Sequence, residues 1–195
     1  MHIIKHFLTI TKHKNRVMKY CFKCGLYRQG LLHDLSKYSF VEFFNGAKFY
    51  LGTKSPHHQE RIIKGYSDAW MHHKGRNKHH MEYWVDVSPI THNYEPVDVP
   101  NRYVAESICD RLAATEIYNK KKFDRFGALD YFHHEGNHLP LSLKTKDRIE
   151  YLLTMYAAMG RKYTFRYIKK YMRNNKTDIP MEESFNERTK NQRNL

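Results

Sequence analysis

Residues 30–39 read GLLHDLSKYS, and they place the adjacent pair His33-Asp34 beside two leucines in a pattern that predicts a short helix. A carboxylate in apolar surroundings requires a partner charge or a cation. Neutral imidazole beside carboxylate is also a ligand pair that suits first-row divalent metals. The doublet therefore predicts a metal site at the point where the helices meet. The simpler alternative is a surface aspartate beside a hydrogen-bonded core histidine.

Length and cysteine content limit the class of protein. A chain of 195 residues can bury one hydrophobic core without disulfides or a structural metal. The three cysteines are an odd number, and no signal-peptide core or run of membrane-spanning length accompanies them. We therefore expect a soluble, cytoplasmic protein without a membrane contact. A single helical domain is predicted over residues 1–176, followed by a polar, flexible tail over 177–195.

The charge of the chain points to anionic partners. Lys and Arg number 34 against 20 Asp and Glu, which gives a formal net charge of +14. Such an excess favours a phosphate-bearing small molecule, a nucleotide or nucleic acid as the partner. The 14 histidines are the less usual feature, and many of them lie between His57 and His92.

Apolar residues recur at helical spacing, and no alternating strand pattern of useful length is present, so we predict an all-α helical bundle. The predicted helices cover residues 3–24, a short segment that carries the His-Asp pair, 39–52, 55–74, 101–120, 145–160 and 161–176. Gly25 is expected to end the first helix. Residues 86–100 contain three prolines and are expected to form a loop.

The histidine-rich segment offers further ligands. If the helix over 55–74 is continuous, His58 lies 15 residues, or about 22 Å, from His73 and cannot share a metal with it. Periodicity turns His73 inward and His72 outward. After a short turn, His79 or His80 can join His73, and the sequence leaves open which of these two ligates.

Two more candidates come from other helices. His13 borders the apolar face of the first helix. Asp110 lies beside the apolar side of the helix over 101–120, and small residues one turn away in each direction leave room for an ion.

In chain order, these candidates resemble the HD superfamily of metal-dependent phosphohydrolases. The stretches HDLSK (33–37) and HHMEYW (79–84) are also similar to a family of uncharacterised bacterial and phage proteins. The HD resemblance covers about residues 10–120 and implies a helical bundle with one metal held by His13, His33, Asp34 and Asp110. It implies that extra histidines recruit an optional second metal, and the candidates for that set are His73, His79 and His80.

The ligand types imply the chemistry. Imidazole and carboxylate without thiolate suit Mn, Fe, Co, Ni or Zn, and Mg where carboxylate and water dominate. Such a metal lowers the pKa of bound water and polarises a phosphoryl oxygen, so we expect a phosphatase or phosphodiesterase. Lys37, one helical turn after His33 if the helix persists, and Arg76 are candidates for phosphate contact, and Glu82 for an acid. Each of these three fits a solvated surface charge equally well.

Other interpretations remain open. The basic helix over 161–176 interleaves aromatics with cations and can bind nucleic acid through Arg161, Arg166, Lys169, Lys170 and Arg173. It also fits an amphipathic helix that packs its aromatics on the core. Some HD-fold proteins use a di-iron centre for oxidation, which makes an oxygenase a third possibility. Cys21 and Cys24 have CxxC spacing, but only Cys109 remains to join them, so buried reduced thiols explain them better than zinc.

Overall fold

The computed structural model describes residues 1–52, 55–118, 124–135 and 138–180, and within them it confirms the predicted all-α class. The described helices are α1 (Ile3–Lys23), α2 (Tyr27–Leu32), α3 (Phe40–Lys48), α4 (Pro56–Lys64), α5 (Asp68–Lys74), α6 (Asn101–Tyr118), α7 (Gly127–Glu135) and α8 (Leu143–Tyr171). Two short 3-10 turns, Leu35–Tyr38 and Met81–Tyr83, follow α2 and α5.

Helix α1 has the predicted bounds, and Gly25 ends its C-terminal turn in the left-handed region, with φ of 73°. Its buried side combines the apolar Ile10, Val17 and Cys21 with polar residues. His6, His13 and Tyr20 are buried, whereas Ile3 and Phe7 are 41% and 44% exposed. Two polar imidazoles thus face the interior of the molecule.

The His-Asp doublet lies after a helix and not on it. Helix α2 ends at Leu32, His33 is its C-cap, and Asp34 adopts the left-handed conformation with φ 55° and ψ 22°. The prediction that the short helix carries the pair is therefore wrong. A left-handed residue stops an α-helix, and here it turns the chain into the 3-10 turn Leu35–Tyr38.

The predicted continuous helix over 55–74 is also wrong. Gly65 has φ of 83°, which ends α4, and Ser67 accepts a hydrogen bond from the Trp70 amide at 3.0 Å to start α5. The axial distance used to exclude His58 therefore does not apply. His58 is nevertheless exposed.

The segment between α5 and α6 contains one feature that periodicity did not predict. Strands β1 (Val85–Val87) and β2 (Tyr94–Pro96) pair antiparallel, with Asp86 opposite Glu95, inside the region expected to be a loop. The predicted end of the next helix, at residue 120, lies outside the described residues. Helix α7 was not predicted.

Helix α8 joins the two helices predicted over 145–160 and 161–176. It runs from Leu143 to Tyr171, and Gly160 interrupts it with φ 73° and ψ 175°, which is backbone that glycine alone adopts readily. The predicted boundary at Gly160 thus becomes a kink. Of the predicted tail, residues 181–195 lie outside the described residues, while the Tyr167 hydroxyl donates a hydrogen bond to the Pro180 carbonyl.

The core lies where α1, α6 and α8 pack together. It is built from side chains that are fully buried, including Val17, Ile108, Leu112, Leu152 and Ile168. The three cysteines are reduced and buried there, with 3.8 Å between the Cys24 and Cys109 sulfurs. Within the described residues, no cluster of potential metal ligands includes a cysteine.

None of the helices in the described part of the chain combines the length and the apolar content that crossing a membrane requires.

Candidate metal centre

All seven sequence-predicted ligands come together in the described structure. His13 lies on α1, and His33 and Asp34 lie in the corner after α2. His73 lies on α5, His79 and His80 lie in the turn that follows α5, and Asp110 lies on α6. Three sets have ligand atoms within 4.8 Å of one another: His13 with His33 and Asp110, Asp34 with His73, His79 and His80, and His33 with His79 and Glu106, which links the first two sets.

Asp34 lies at the centre of this cluster and is 2% exposed. Its Oδ1 is 3.3 Å from His73 Nε2 and 3.5 Å from His79 Nε2. Its Oδ2 is 3.4 Å from His33 Nε2 and 4.0 Å from His13 Nε2. The left-handed backbone of Asp34 costs of the order of 1–3 kcal/mol for a residue other than glycine. This backbone conformation places the Asp34 carboxylate between two groups of imidazoles.

Buried carboxylates contact three of these imidazoles at Nδ1, the outer ring nitrogen, which faces away from Asp34. Glu106 Oε1 lies 2.9 Å from His33 Nδ1 and 3.1 Å from His79 Nδ1. Glu42 Oε2 lies 2.7 Å from His73 Nδ1. An ionised carboxylate only accepts hydrogen bonds, so each Nδ1 carries the proton and donates. When the imidazole is neutral, its Nε2 then points a lone pair inward, which is the arrangement that carboxylates impose on metal-binding histidines.

The contacts between Asp34 and the imidazoles are longer than those between the imidazoles and the outer carboxylates. Outer contacts measure 2.7–3.1 Å, the length of hydrogen bonds. Inner distances from Asp34 to His33, His73 and His79 are 3.3–3.5 Å. Two ligand atoms that each lie near 2.1 Å from one ion are about 3.0–3.5 Å apart. The inner spacing therefore fits ligation better than hydrogen bonding.

Three buried atoms on this inner side lack hydrogen-bond partners among the described residues: His33 Nε2, His79 Nε2 and Asp34 Oδ1. A buried polar atom without a partner costs about 1–3 kcal/mol. All three belong to residues of the cluster and are acceptors when the outer nitrogens are protonated. Divalent cations in the two ligand sets would satisfy these atoms, so the donor set fits a metal.

Electrostatics keeps the carboxylates of the cluster ionised. Burial alone raises the pKa of Asp34, but His33, Lys37 and His73 outweigh it and hold that pKa well below its usual value. Burial likewise opposes ionisation of Asp110, and His13 and His33 bring its pKa well below normal. Both carboxylates are thus charged at neutral pH, which is the state that metal binding needs.

Burial and the neighbouring charges also shift the pKa values of the imidazoles. Burial lowers the pKa of His33, whereas Asp34, Asp110 and Glu106 raise it, and the result lies well above the ordinary value. His80 has the opposite outcome, because burial and the neighbouring His79 and His73 hold its pKa well below normal.

Two pairs within the cluster are at hydrogen-bond distance. His13 Nε2 lies 2.8 Å from Asp110 Oδ1, and His73 Nε2 lies 2.9 Å from His80 Nε2. His13 and His33 face Asp34 Oδ2 and His73 and His79 face Oδ1, while the rings of His33 and His79 lie side by side with centroids 4.3 Å apart.

The three other predicted site residues have different surroundings. Lys37 lies in the 3-10 turn after Asp34, and its Nζ is 2.6 Å from Asp34 Oδ2, so the predicted helical relation to His33 is wrong. Arg76 is exposed and donates to the His72 carbonyl at 3.2 Å. Glu82 is partly buried in the turn Met81–Tyr83, and no described potential metal-ligand group includes it.

Sequence reasoning missed the carboxylates that orient the imidazoles. Glu106 stands one helical turn before Asp110 on α6, and that spacing could have identified it. Glu42 was visible only as a capping residue of α3, yet it also contacts His72 Nδ1 at 2.7 Å. His73 is fully buried, as periodicity predicted, and its neighbour His72 lies nearer the surface.

Comparison with family models gives one match, to DUF5662, described as a family of unknown function, over residues 2–191. Comparison with curated proteins found no match, and comparison with solved structures found none. The family description names neither a fold nor an activity, so the resemblance to the HD superfamily stays a prediction. Because the match spans almost the whole chain, the protein belongs to the DUF5662 family of unknown function.

Proposed function

We propose that this protein is a metal-dependent phosphohydrolase, of the HD type, that acts on a nucleotide or another phosphate ester. One observation carries the proposal. The Nε2 atoms of His33, His73 and His79 surround the Asp34 carboxylate at 3.3–3.5 Å, while buried Glu42 and Glu106 hold their Nδ1 atoms from behind.

The proposed ligands form two sets that share Asp34. His13, His33 and Asp110 would hold one divalent ion with Asp34 Oδ2, and His73, His79 and His80 would hold a second with Asp34 Oδ1. A bound ion of this kind supplies a water of lowered pKa and polarises a phosphoryl oxygen. Mn, Fe, Co, Ni and Zn match the mixed imidazole and carboxylate ligands, and Mg is a weaker match because it prefers oxygen.

The residues of the chain have separate tasks in this proposal. Glu106 and Glu42 fix the tautomer and orientation of the imidazoles. Lys37, whose side chain is 25% exposed, reaches Asp34 from the solvent side and is the cation best placed to meet a phosphate oxygen. Arg76 is a more distant candidate for the same role, and we assign no role to Glu82.

The substrate class follows from charge. The net charge of +14 attracts anions to the site, and phosphate esters supply the oxygens that the proposed ions would bind. The three reduced cysteines also agree with a cytoplasmic location, which is part of the proposal.

Elemental analysis of protein purified without chelator is the first test, followed by assays with p-nitrophenyl phosphate, bis(p-nitrophenyl) phosphate and a set of nucleotides. We expect one or two divalent ions per chain and hydrolysis of at least one ester. Asp34→Asn and His79→Ala should lose metal and activity, because each removes an inner ligand atom. His58→Ala is the matched control, since His58 comes from the same histidine-rich stretch and is exposed.

Folded protein that contains no metal, or variants of Asp34 that keep full metal content, would contradict the proposal. Iron with oxygen consumption and no ester hydrolysis would instead support the oxygenase alternative.

A further inference from the structure

Two segments of the chain have no acidic residues at all. Neither residues 1–33 nor residues 151–177 contain an Asp or a Glu, although each segment carries seven or more Lys and Arg. The first segment forms α1 and α2, and the second forms most of α8. Wherever these two segments meet, their positive charges add without local neutralisation.

The two segments meet at Gly25, in the corner between α1 and α2. A Cβ atom added to Gly25 would lie 2.8 Å from Arg173 Cδ and 3.5 Å from Lys169 Cγ. Lys169 of α8 and Arg173, two residues after the end of α8, therefore lie across this corner. Lys23 precedes Gly25 and Arg28 follows it, and both are exposed.

The cations of α8 continue away from the corner in a row. Lys162, Arg166, Lys169 and Arg173 follow the spacing i, i+4, i+7 and i+11, and all four are exposed. Lys162, Arg166 and Lys169 therefore share one face over about 10 Å of α8, and Arg173 follows two residues after the helix ends. Arg161 does not belong to this row, because it binds Glu116 on α6.

The aromatic residues beside the row differ from those that the sequence suggested. Phe165 and Tyr167 of α8 are 4% and 5% exposed, so they pack in the core as the amphipathic alternative requires. Phe22 and Tyr27, which flank Gly25 on the other segment, are 38% and 56% exposed. Their ring centroids are 5.4 Å apart in an edge-to-face arrangement. Exposed aromatic faces beside a row of cations can stack bases while the cations bind phosphates.

We propose that these eight residues form a binding surface for single-stranded nucleic acid, which we call the basic corner: Phe22, Lys23, Tyr27, Arg28, Lys162, Arg166, Lys169 and Arg173. The nearby carboxylate Glu116 does not oppose an anion there, because Arg16 and Arg161 already neutralise it. Ten residues of α1, or about 15 Å, separate Lys23 from His13. The basic corner is thus distinct from the metal centre and does not depend on the proposed hydrolase activity.

Single strands fit this surface better than an anionic membrane does. The exposed aliphatic side chains of the described residues form no continuous face at the corner, since Ile4 and Leu8 lie near the opposite end of α1 and Leu31 and Leu32 lie at the end of the six-residue α2. The basic corner itself offers two aromatic rings and a linear row of charge, whereas a membrane-surface helix buries a continuous apolar face.

Fluorescence anisotropy with a labelled 20-nucleotide single strand, measured over a range of salt concentrations, tests the proposal. Replacing Lys169 and Arg173 by Gln should weaken binding and reduce the slope of log K against log salt by about 1.4, since each phosphate contact contributes about 0.7 for single strands. Tyr27→Ala should weaken binding roughly tenfold with little change in slope, because it removes stacking and no charge. Circular dichroism of each variant verifies the fold.

The matched control replaces Lys48 and Lys144 by Gln, which removes the same charge from exposed positions elsewhere. Equal losses in the control and in the Lys169/Arg173 variant would overturn the proposal, because net charge alone would then explain binding. Binding to phosphatidylserine vesicles without binding to the oligonucleotide would overturn it as well. Oligonucleotide binding that survives treatment with a chelator supports a surface separate from the metal centre, and binding abolished by the chelator contradicts it.

Discussion

At the scale of single residues, the candidate site depends on carboxylates that do not face its centre. Glu106 contacts the outer nitrogens of both His33 and His79, so one side chain fixes two imidazoles. Burial opposes the charge of Glu106, but those two histidines lower its pKa below the usual value. An ionised Glu106 therefore keeps both Nε2 lone pairs directed at Asp34.

Glu106→Gln should weaken metal binding about 10- to 100-fold, as expected for loss of a carboxylate that orients metal-binding histidines. The amide has the shape of the carboxylate but lacks the charge, so its single oxygen is a weaker acceptor for the two Nδ1–H groups that Glu106 Oε1 accepts from. Competition with a fluorescent chelator measures the change.

Glu150→Gln provides the comparison for that experiment, because Glu150 also pairs with a histidine, His133, at 2.9 Å but at the surface. An unchanged metal affinity in Glu106→Gln would mean that Glu106 is only a structural partner of the two imidazoles.

At the scale of elements, a buried histidine couples α1 to α3. His6 is 5% exposed, and a Cβ atom on Gly46 of α3 would lie 2.3 Å from its Nε2. The ring also packs near Phe43 and Tyr50, with centroid distances of 5.5 and 5.9 Å. Burial, aided by the charge of Lys37, lowers the pKa of His6 from 6.5 to about 4.

This low pKa predicts a loss of stability in mild acid. Between pH 6.5 and about 4 the unfolded chain binds a proton at His6 that the folded chain does not, so the free energy of unfolding falls as the pH falls through this window. The contribution reaches roughly 3 kcal/mol at the lower end. His6→Leu should remove it, so that the variant loses less stability than the wild type between pH 7.5 and 4.5 in urea unfolding.

Other histidines with shifted pKa values, such as His33, also contribute to the pH dependence of unfolding, and only the difference between wild type and variant reports on His6. His58→Leu, at an exposed position, should leave the pH dependence unchanged. Parallel stability curves for wild type and His6→Leu would show that His6 titrates normally in the folded protein.

At the scale of the whole molecule, the candidate ligands extend from His13 to Asp110 and join α1, α5, α6 and the corner after α2. A metal that binds only the folded chain would cross-link these elements and stabilise the fold by mass action.

We therefore expect divalent metal to raise the Tm of protein stripped with chelator. At 100 times the Kd the gain is about 2.7 kcal/mol, which is several degrees for a chain of this size. Differential scanning fluorimetry with Mn, Co, Ni, Zn and Mg measures it. Asp34→Asn should show no such rise, whereas His58→Ala should respond as the wild type does. A wild-type Tm that no metal changes would contradict a metal centre.

The sequence determined the parts of this protein that depend on short-range pattern. Apolar spacing located α1, α3 and α6, Gly25 marked a helix end, and the candidate ligands could be named because His and Asp have distinctive chemistry. Periodicity also turned His73 inward, since residues three and four positions apart lie on the same face of a helix.

Only the tertiary structure decided the remainder, because contacts between distant segments have no local signal. Asp34 and Gly65 adopt the left-handed conformation. They therefore interrupt the two helices that apolar spacing predicted through them. The role of Glu106 appeared only when α6 was packed against the His33 corner, 73 residues away in sequence. The folded chain likewise placed Lys169 and Arg173 over Gly25 and buried the α8 aromatics, because packing determines which face of an amphipathic helix meets solvent.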